Sequence, residues 1–220
     1  MSSLNSHTLT SIPGAVMNAV LLPGKLNVCH GNAQSICARR SAKLDEVKNL
    51  LQGSKVSLAC FTESWLSPKV SNRSVAIPGY KIFRNDRLYR RGGGIVFYCK
   101  DHLRCSKVFS TVLDHDSDDK TECLALEIRV GVEKMLIMGV YNPPENDCSR
   151  FLIDKLADFT TQFETILLVG DFNTDLSTRN NRRCGFESVL ESFALTSVGE
   201  EPTFFHNSGC SQLDLFSSTI

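Results

Sequence analysis

Thr165 to Asn173, TILLVGDFN, is a short apolar, β-branched run that stops at Gly170 and delivers Asp171 and Asn173. This is the pattern of a buried strand that ends where polar side chains begin. Residues two apart on an extended chain point the same way, so Asp171 and Asn173 can face one pocket while Phe172 anchors the turn from the other side. The same DxN can equally be an ordinary turn, because Asp and Asn bond their own backbone. The segment alone leaves both readings open.

Working outward, the same device recurs. Lys25 to Val28 reads as a first strand ending in the loop Cys29 to Ser35, and Val56 to Phe61 as a second, after which Thr62 and Glu63 emerge. Between them Ser41 can cap a helix with Leu44, Val47, Leu50 and Leu51 on one face, ended by Gly53. Tyr80 to Phe83 leads into the basic, glycine-rich RNDRLYRRGGGIVFYCK, in which two strands flank a turn. Cys123 to Val130 and Met135 to Val140 read as a hairpin turning at Gly131, with Tyr141, Asn142, Pro143 and Pro144 at its exit. Phe151 to Phe159 and Phe186 to Phe193 carry helical spacing, and Thr203 to Phe205 and Gln212 to Phe216 are short strands. Helices that do not alternate strictly with strands argue for a layered α/β (α+β) sandwich, sheets covered by helices, rather than a doubly wound parallel sheet.

Composition bounds the function classes. A chain of 220 residues with 42% hydrophobic and 22% charged residues can form one substantial core, which excludes wholesale disorder. Lys plus Arg and Asp plus Glu both number 24, so a polyanion must be met by local patches rather than by a net field. Two such patches exist: Arg84, Arg87, Arg90 and Arg91, then Arg179, Arg182 and Arg183. They suit a nucleic-acid backbone, or else they are solvated surface. The acidic DHDSDD, Asp114 to Asp119, lacks an EF-hand pattern and reads as a solvated loop. Nine cysteines, an odd number without a CxxC pair, read as reduced thiols packed as small hydrophobes, and imply an intracellular home. No apolar run approaches the roughly 20 residues a membrane-spanning helix needs. Residues 1–24 carry no charge and no basic leader, and are expected to be a poorly ordered extension before a domain covering 25–220.

Asn32, Glu63, Tyr141, Asp171, Asn173 and Asp214 all fall at or just beyond expected strands, where a sheet rim can gather residues distant in sequence. Hard oxygen donors without a histidine cluster suit Mg²⁺, with Glu63 the leading ligand.

In order along the chain stand LNVCHGNAQSI (26–36), ACFTESWL (59–66), RRGGGIVFYCK (90–100), TECLALEI (121–128), GVYNPP (139–144), LLVGDFN (167–173), EPTFF (201–205) and SQLDLF (211–216). This set resembles the endonuclease/exonuclease/phosphatase superfamily, and within it the abasic-endonuclease-like domain of non-LTR retrotransposons. The resemblance implies a four-layer sandwich, two mixed sheets face to face with helices outside. It implies a Mg²⁺-dependent (or Mn²⁺-dependent) DNA endonuclease that nicks target DNA, nuclear, with a reverse transcriptase downstream. It implies that Asn32 and Glu63 hold the metal, that Tyr141 and Asn173 contact the phosphate, and that Asp171 orients or deprotonates the attacking water. Asp214 would support the metal or a histidine, and Thr203 would lie near the DNA backbone.

The pattern departs from the family in one place. Members resembling this chain carry an SDH motif after the LDL strand; the sequence ends at Ile220 without one, and its histidines (7, 30, 102, 115, 206) do not match it. The corresponding expectation is a domain incomplete at its C-terminus, with the closing strands missing. The alternative function is then a truncated, inactive remnant that at most binds nucleic acid weakly. A third reading keeps the chemistry and exchanges DNA for a phosphorylated lipid or small molecule.

Overall fold

The computed structural model describes residues 6–12, 15–22, 26–38, 42–88, 92–113, 117–174, 180–198, 204–206, 209–211 and 214–219. The first sheet is built from β1 (Ser6–Ile12), β2 (Ala15–Leu22), β3 (Leu26–Asn32), β4 (Leu58–Thr62), β5 (Tyr80–Asn85) and β6 (Ile95–Lys100), in the order β1-β2-β3-β4-β6-β5. The second holds β7 (Arg104–Ser110), β8 (Glu122–Val130), β9 (Glu133–Tyr141), β10 (Thr165–Asp171), β11 (Thr196–Val198) and β14 (Asp214–Ser218), in the order β11-β14-β10-β9-β8-β7. The strands β12 (Phe204–His206) and β13 (Gly209–Ser211) form a separate hairpin. Helix α1 is Ala42–Gln52, α2 is Ser149–Thr160 and α3 is Asn181–Ser192.

Alternation along the strands sorts side chains into three apolar layers. Val28, Leu58, Cys60, Ile95 and Phe97 of the first sheet meet Leu124, Leu126, Ile137, Leu167 and Val169 of the second. On the outer face of the first sheet, Cys29, Ala59, Phe61 and Tyr98 pack on Leu44, Val47 and Leu51 of α1. On the outer face of the second, Leu136, Met138, Ile166 and Leu168 pack on Leu152, Leu156, Phe186 and Val189 of α2 and α3. The result is the expected four-layer α/β sandwich of two mixed sheets. Central strands bury both faces, which is why they read as continuous apolar runs.

Three details differ from the sequence reading. Residues 6–12 and 15–22, expected as an extension, instead form strands, β1 paired with β2 and β2 with β3, the latter in antiparallel register Val20↔Val28. Strands β7, β11 and β13 were not anticipated: β7, RCSKVFS, has only two large apolar residues and lies largely exposed on a sheet edge, and β11 and β13 are three residues each. Ser41 and residues 114–116 lie outside the described residues, but Asp119 of the acidic run is not merely solvated. Its Oδ1 accepts from the Thr121 amide (2.8 Å), the Thr121 hydroxyl (2.6 Å) and Asn146 Nδ2 (3.2 Å). Gly131 turns the hairpin at φ +65°, as expected. Cys29, Cys37, Cys60, Cys99, Cys105, Cys123, Cys148 and Cys184 are free thiols, and among the described residues no helix is long and apolar enough to cross a membrane.

One buried ionisable group ties the fold to pH. His30 on β3 is buried, with Nε2 3.2 Å from Thr62 Oγ1, and burial lowers its pKa to about 3. An unfolded histidine titrates near 6.5, so between those values the unfolded chain holds the extra proton. The stability contributed by neutral His30 is therefore complete above pH of about 6.5 and is lost as pH falls, at about 1.4 kcal/mol per unit. In urea unfolding without divalent ions, the advantage of wild type over His30→Gln at pH 7 is expected to shrink by about 2 kcal/mol at pH 5. A difference that stays constant with pH would contradict a neutral, desolvated imidazole.

Candidate active site

Two parallel pairs, β3 with β4 and β9 with β10, end at one edge of the sandwich, at Asn32↔Thr62 and Tyr141↔Asp171. Asn32 Nδ2 donates to Asp171 Oδ2 at 2.9 Å, joining the rims of the two sheets across 139 positions of sequence. Strand β14 runs antiparallel to β10 and places Asp214 opposite Asp171 in register. Beyond the strands the loops remain laced together. Ala33, Ser35 and Ile36 amides bond the carbonyls of Thr62, Glu63 and Ser64, while Ser64 and Trp65 amides bond those of Gly94 and Gly93. Glu63 sits within this lacing at φ +52°. Its Oε2 accepts from the Gly93 amide at 3.1 Å and from the Trp65 indole N–H.

The DxN segment satisfies both of its readings. Asp171 Oδ1 accepts from the Asn173 amide at 3.1 Å, the bond of an Asx turn, and Asn173 takes φ +46°. Phe172 points away, 4.8 Å between centroids from Phe186 under α3. Asn173 Nδ2 donates to the Asn142 carbonyl at 2.8 Å. Asn142, fully buried, donates through Nδ2 to the carbonyls of Phe172 (2.8 Å) and Asn146 (2.9 Å). The turn is thus fixed to the GVYNPP segment by a closed network.

Negative charge is concentrated here. Burial raises the Asp171 carboxyl to about 6, against the opposing Asn32 and Asn173 hydrogen bonds and with help from the charge of Glu63. Burial, and then a hydrogen bond to Glu63, push the Tyr141 hydroxyl well above its ordinary value. Among the described residues no three His, Cys, Asp or Glu side chains cluster. The donor set is two carboxylates with amide oxygen, all hard, and the charge that penalises Asp171 is what a divalent cation relieves. These residues fit such an ion.

The arginines divide differently from expectation. Arg84 does not present its guanidinium to a ligand: Nε and Nη2 bond Asp86 (3.0 and 2.5 Å), Nη1 the Val70 carbonyl (2.7 Å) and Asn72 (2.9 Å), and Nη2 also the Ser67 carbonyl (3.0 Å). Arg87 turns inward too, ion-paired with Glu122 and 5.7 Å from the centroid of the Tyr141 ring. Both guanidiniums are thus surrounded by acceptors of the fold itself, rather than held out as the unpaired basic patch the sequence suggested. Arg182 and Arg183 lie on the first turn of α3, Arg183 bonded to Glu187 at 2.7 Å. Arg90, Arg91, Arg179 and Thr203 lie outside the described residues. A cavity of about 480 Å³ has Arg84, Arg87, Lys107 and Glu122 among its lining residues, while Asn32, Glu63, Tyr141, Asp171 and Asn173 do not line it. Sequence reasoning missed Asn142 and Glu122, although they stand in GVYNPP and TECLALEI. The signal available was a polar residue at a strand end, and that does not distinguish a network member from a solvated one.

Solved structures share this architecture. The endonuclease domain of TRAS1, a telomere-specific non-LTR retrotransposon, aligns with TM-score 0.62 at 14% identity over 86% of this chain and 82% of that one. The AP endonuclease LMAP from Leishmania major aligns with TM-score 0.66 at 12% identity over 86% and 77%. An endonuclease/exonuclease/phosphatase family protein from Leptotrichia buccalis aligns with TM-score 0.68 at 10% identity over 89% and 88%. Comparison with curated proteins returns no match. The family profile covers residues 26–216, from the strand that carries Asn32 to the strand that begins at Asp214. The chain therefore belongs to the Endonuclease/Exonuclease/phosphatase family.

Proposed function

We propose that the chain is a divalent-metal-dependent DNA endonuclease, hydrolysing phosphodiester bonds to nick target DNA for a non-LTR retrotransposon. The observation that carries this reading is the Asn32–Asp171 bond, which closes the two sheet rims around Glu63 and Tyr141. The likeness of fold to the TRAS1 domain supports the retrotransposon setting. In that setting the partners are nuclear DNA and a reverse transcriptase.

Asp171 holds the water. Each of its oxygens already accepts one hydrogen bond, Oδ1 from Asn173 and Oδ2 from Asn32, and each keeps a lone pair. A carboxyl raised to about 6 is ionised at pH 7 yet basic enough to take a proton from an attacking water. Asn173 has one amide hydrogen fixed by the Asn142 carbonyl, which orients the other toward a substrate phosphate. The Tyr141 hydroxyl, a donor throughout the working pH range, can serve the same oxygens. Glu63 and Asn32 would hold Mg²⁺ or Mn²⁺, with Asp214 in support from β14. Bound there, the ion would supply positive charge to the nonbridging phosphate oxygens.

The test is relaxation of supercoiled plasmid by the purified, cooperatively melting chain, with Mg²⁺ and with EDTA. Nicking that EDTA abolishes is the expected result. Related folds include a mannosyl-6-phosphatase and a 3′ phosphatase bound to a DNA hairpin. A 3′-phosphorylated DNA hairpin is therefore the parallel substrate. Phosphate release without nicking would overturn the endonuclease reading, and a folded protein inert on both would leave the non-catalytic remnant.

A further inference from the structure

The ion pair of Arg87 and Glu122 lies outside the reacting groups but touches Tyr141 and the glycine turn that holds Glu63. Its side chains are 11% and 3% exposed. A pair this buried contributes little net stability, since desolvation offsets the attraction, so stability is a weak account of its presence. Its contacts suggest another. Glu122 opens β8 directly opposite Tyr141 on β9, so its carboxylate shares a face with the tyrosine ring, over which Arg87 lies. One Glu122 oxygen takes Arg87 and the other takes the Gly94 amide. The neighbouring Gly93, at φ +63°, packs straight onto the pair. A Cβ there would stand 2.4 Å from the Arg87 guanidinium carbon and 2.5 Å from Glu122 Oε1. Gly93 also gives its amide to Glu63 and its carbonyl to Trp65, whose indole N–H donates to the same Glu63 oxygen.

We propose that Arg87 and Glu122 are positioning residues, a clamp that seats the Gly92–Gly94 turn and the Tyr141 ring so that Glu63 presents its carboxylate to a divalent cation. The proposal rests on the metal-dependent reading above. Neither residue touches substrate. Arg87 orders Tyr141 and the turn, Glu122 orders Arg87 and the turn, and the turn holds Glu63.

The chain has a single tryptophan, Trp65, and it is bonded to Glu63, so its fluorescence is an intrinsic reporter of that carboxylate. Mg²⁺ is titrated into wild type, Glu122→Gln and Arg87→Met, following Trp65 emission and, separately, plasmid nicking; melts establish folding. The clamp predicts that both variants fold and that the Mg²⁺ midpoint rises roughly 10- to 100-fold in each, the range for residues that orient metal ligands. It predicts that kcat falls with little change in KM for DNA. It predicts that the double variant is no worse than the poorer single one, because the two act as a unit. Simple destabilisation would lower the amplitude of the Trp65 response and leave its midpoint in place. Wild-type nicking with unchanged midpoints in the variants would overturn the clamp and leave the endonuclease standing. A wild type with neither a Mg²⁺ response nor nicking would take down both. If both variants fail to fold, the pair is structural and the clamp is refuted.

Discussion

Plasmid nicking is expected to fall by about 10³-fold or more in Asp171→Ala and in Glu63→Ala, since each removes a group that the proposed mechanism puts at the reacting centre. The two variants separate function from stability in different ways. Asp171 is buried, and burial raises its carboxyl to about 6, above the ordinary 3.8. A folded-state value above the unfolded one means that this group favours the fold at low pH and loses that contribution as pH rises through about 6. At pH 7 the carboxylate is a net cost, so without divalent ions Asp171→Ala is expected to melt no lower than wild type. Its dependence on pH between 4 and 6 is expected to flatten. A residue kept only for structure would behave oppositely, with lost stability and retained cleavage. Cleavage by either variant within tenfold of wild type would remove these residues from the site.

The largest expected effect on stability comes from Gly170→Ala. An added Cβ at Gly170 would stand 1.9 Å from the Val140 carbonyl oxygen and 2.8 Å from its carbon. Those atoms belong to the backbone of β9, paired in parallel with β10 at Gly170↔Val140, so no flexible side chain can move aside. The strands must separate immediately before Tyr141 and Asp171. The expected cost is at least about 3 kcal/mol, at the upper end for overpacking, or a drop in Tm on the order of 6–12 °C for a chain of this size. Gly131→Ala is the control, at φ +65° but with nothing within 4 Å of its Cβ, and should cost about 1 kcal/mol. Equal melting of the two variants would show that β9 and β10 do not approach as closely as described.

The two predictions meet in one short segment. Gly170 lets β10 run close against β9, and the close approach sets Asp171 beside Tyr141. The Asx turn then lifts Asn173 toward the same space while Phe172 anchors beneath α3. A substitution at Gly170 therefore damages the fold and the site together, whereas one at Asp171 should damage the site alone.

How much of this was legible beforehand follows from the range of the forces involved. The strand of Thr165 to Asp171, the hairpin at Gly131 and the helices at Ser149–Thr160 and Asn181–Ser192 were readable because apolar periodicity and turn chemistry are local. So was the position of each acidic or amide residue at a strand end. The ordered motifs identified the family, and with it the four layers, before any distance was known. The fate of individual polar groups was not local. Arg84 and Arg87 read as phosphate contacts because a guanidinium in a glycine-rich loop looks free. Only the folded chain brings Asp86, the Val70 carbonyl and Glu122 around them. One hint was present, since Arg84 and Asp86 are two apart at a strand end and share a face. For Arg87 and Glu122, separated by 35 positions, there was none.

By itself, then, the sequence determined most of the strands and the helices, which ends carry carboxylates and amides, and which family the chain joins. The tertiary structure alone decided that Asn32 meets Asp171, that Glu63 is held by a glycine amide, and that residues 6–12 and 15–22 add strands to a sheet. Periodicity records how a segment will be buried. A hydrogen bond between residues 139 positions apart exists only once both sheets have packed, and no local pattern encodes it.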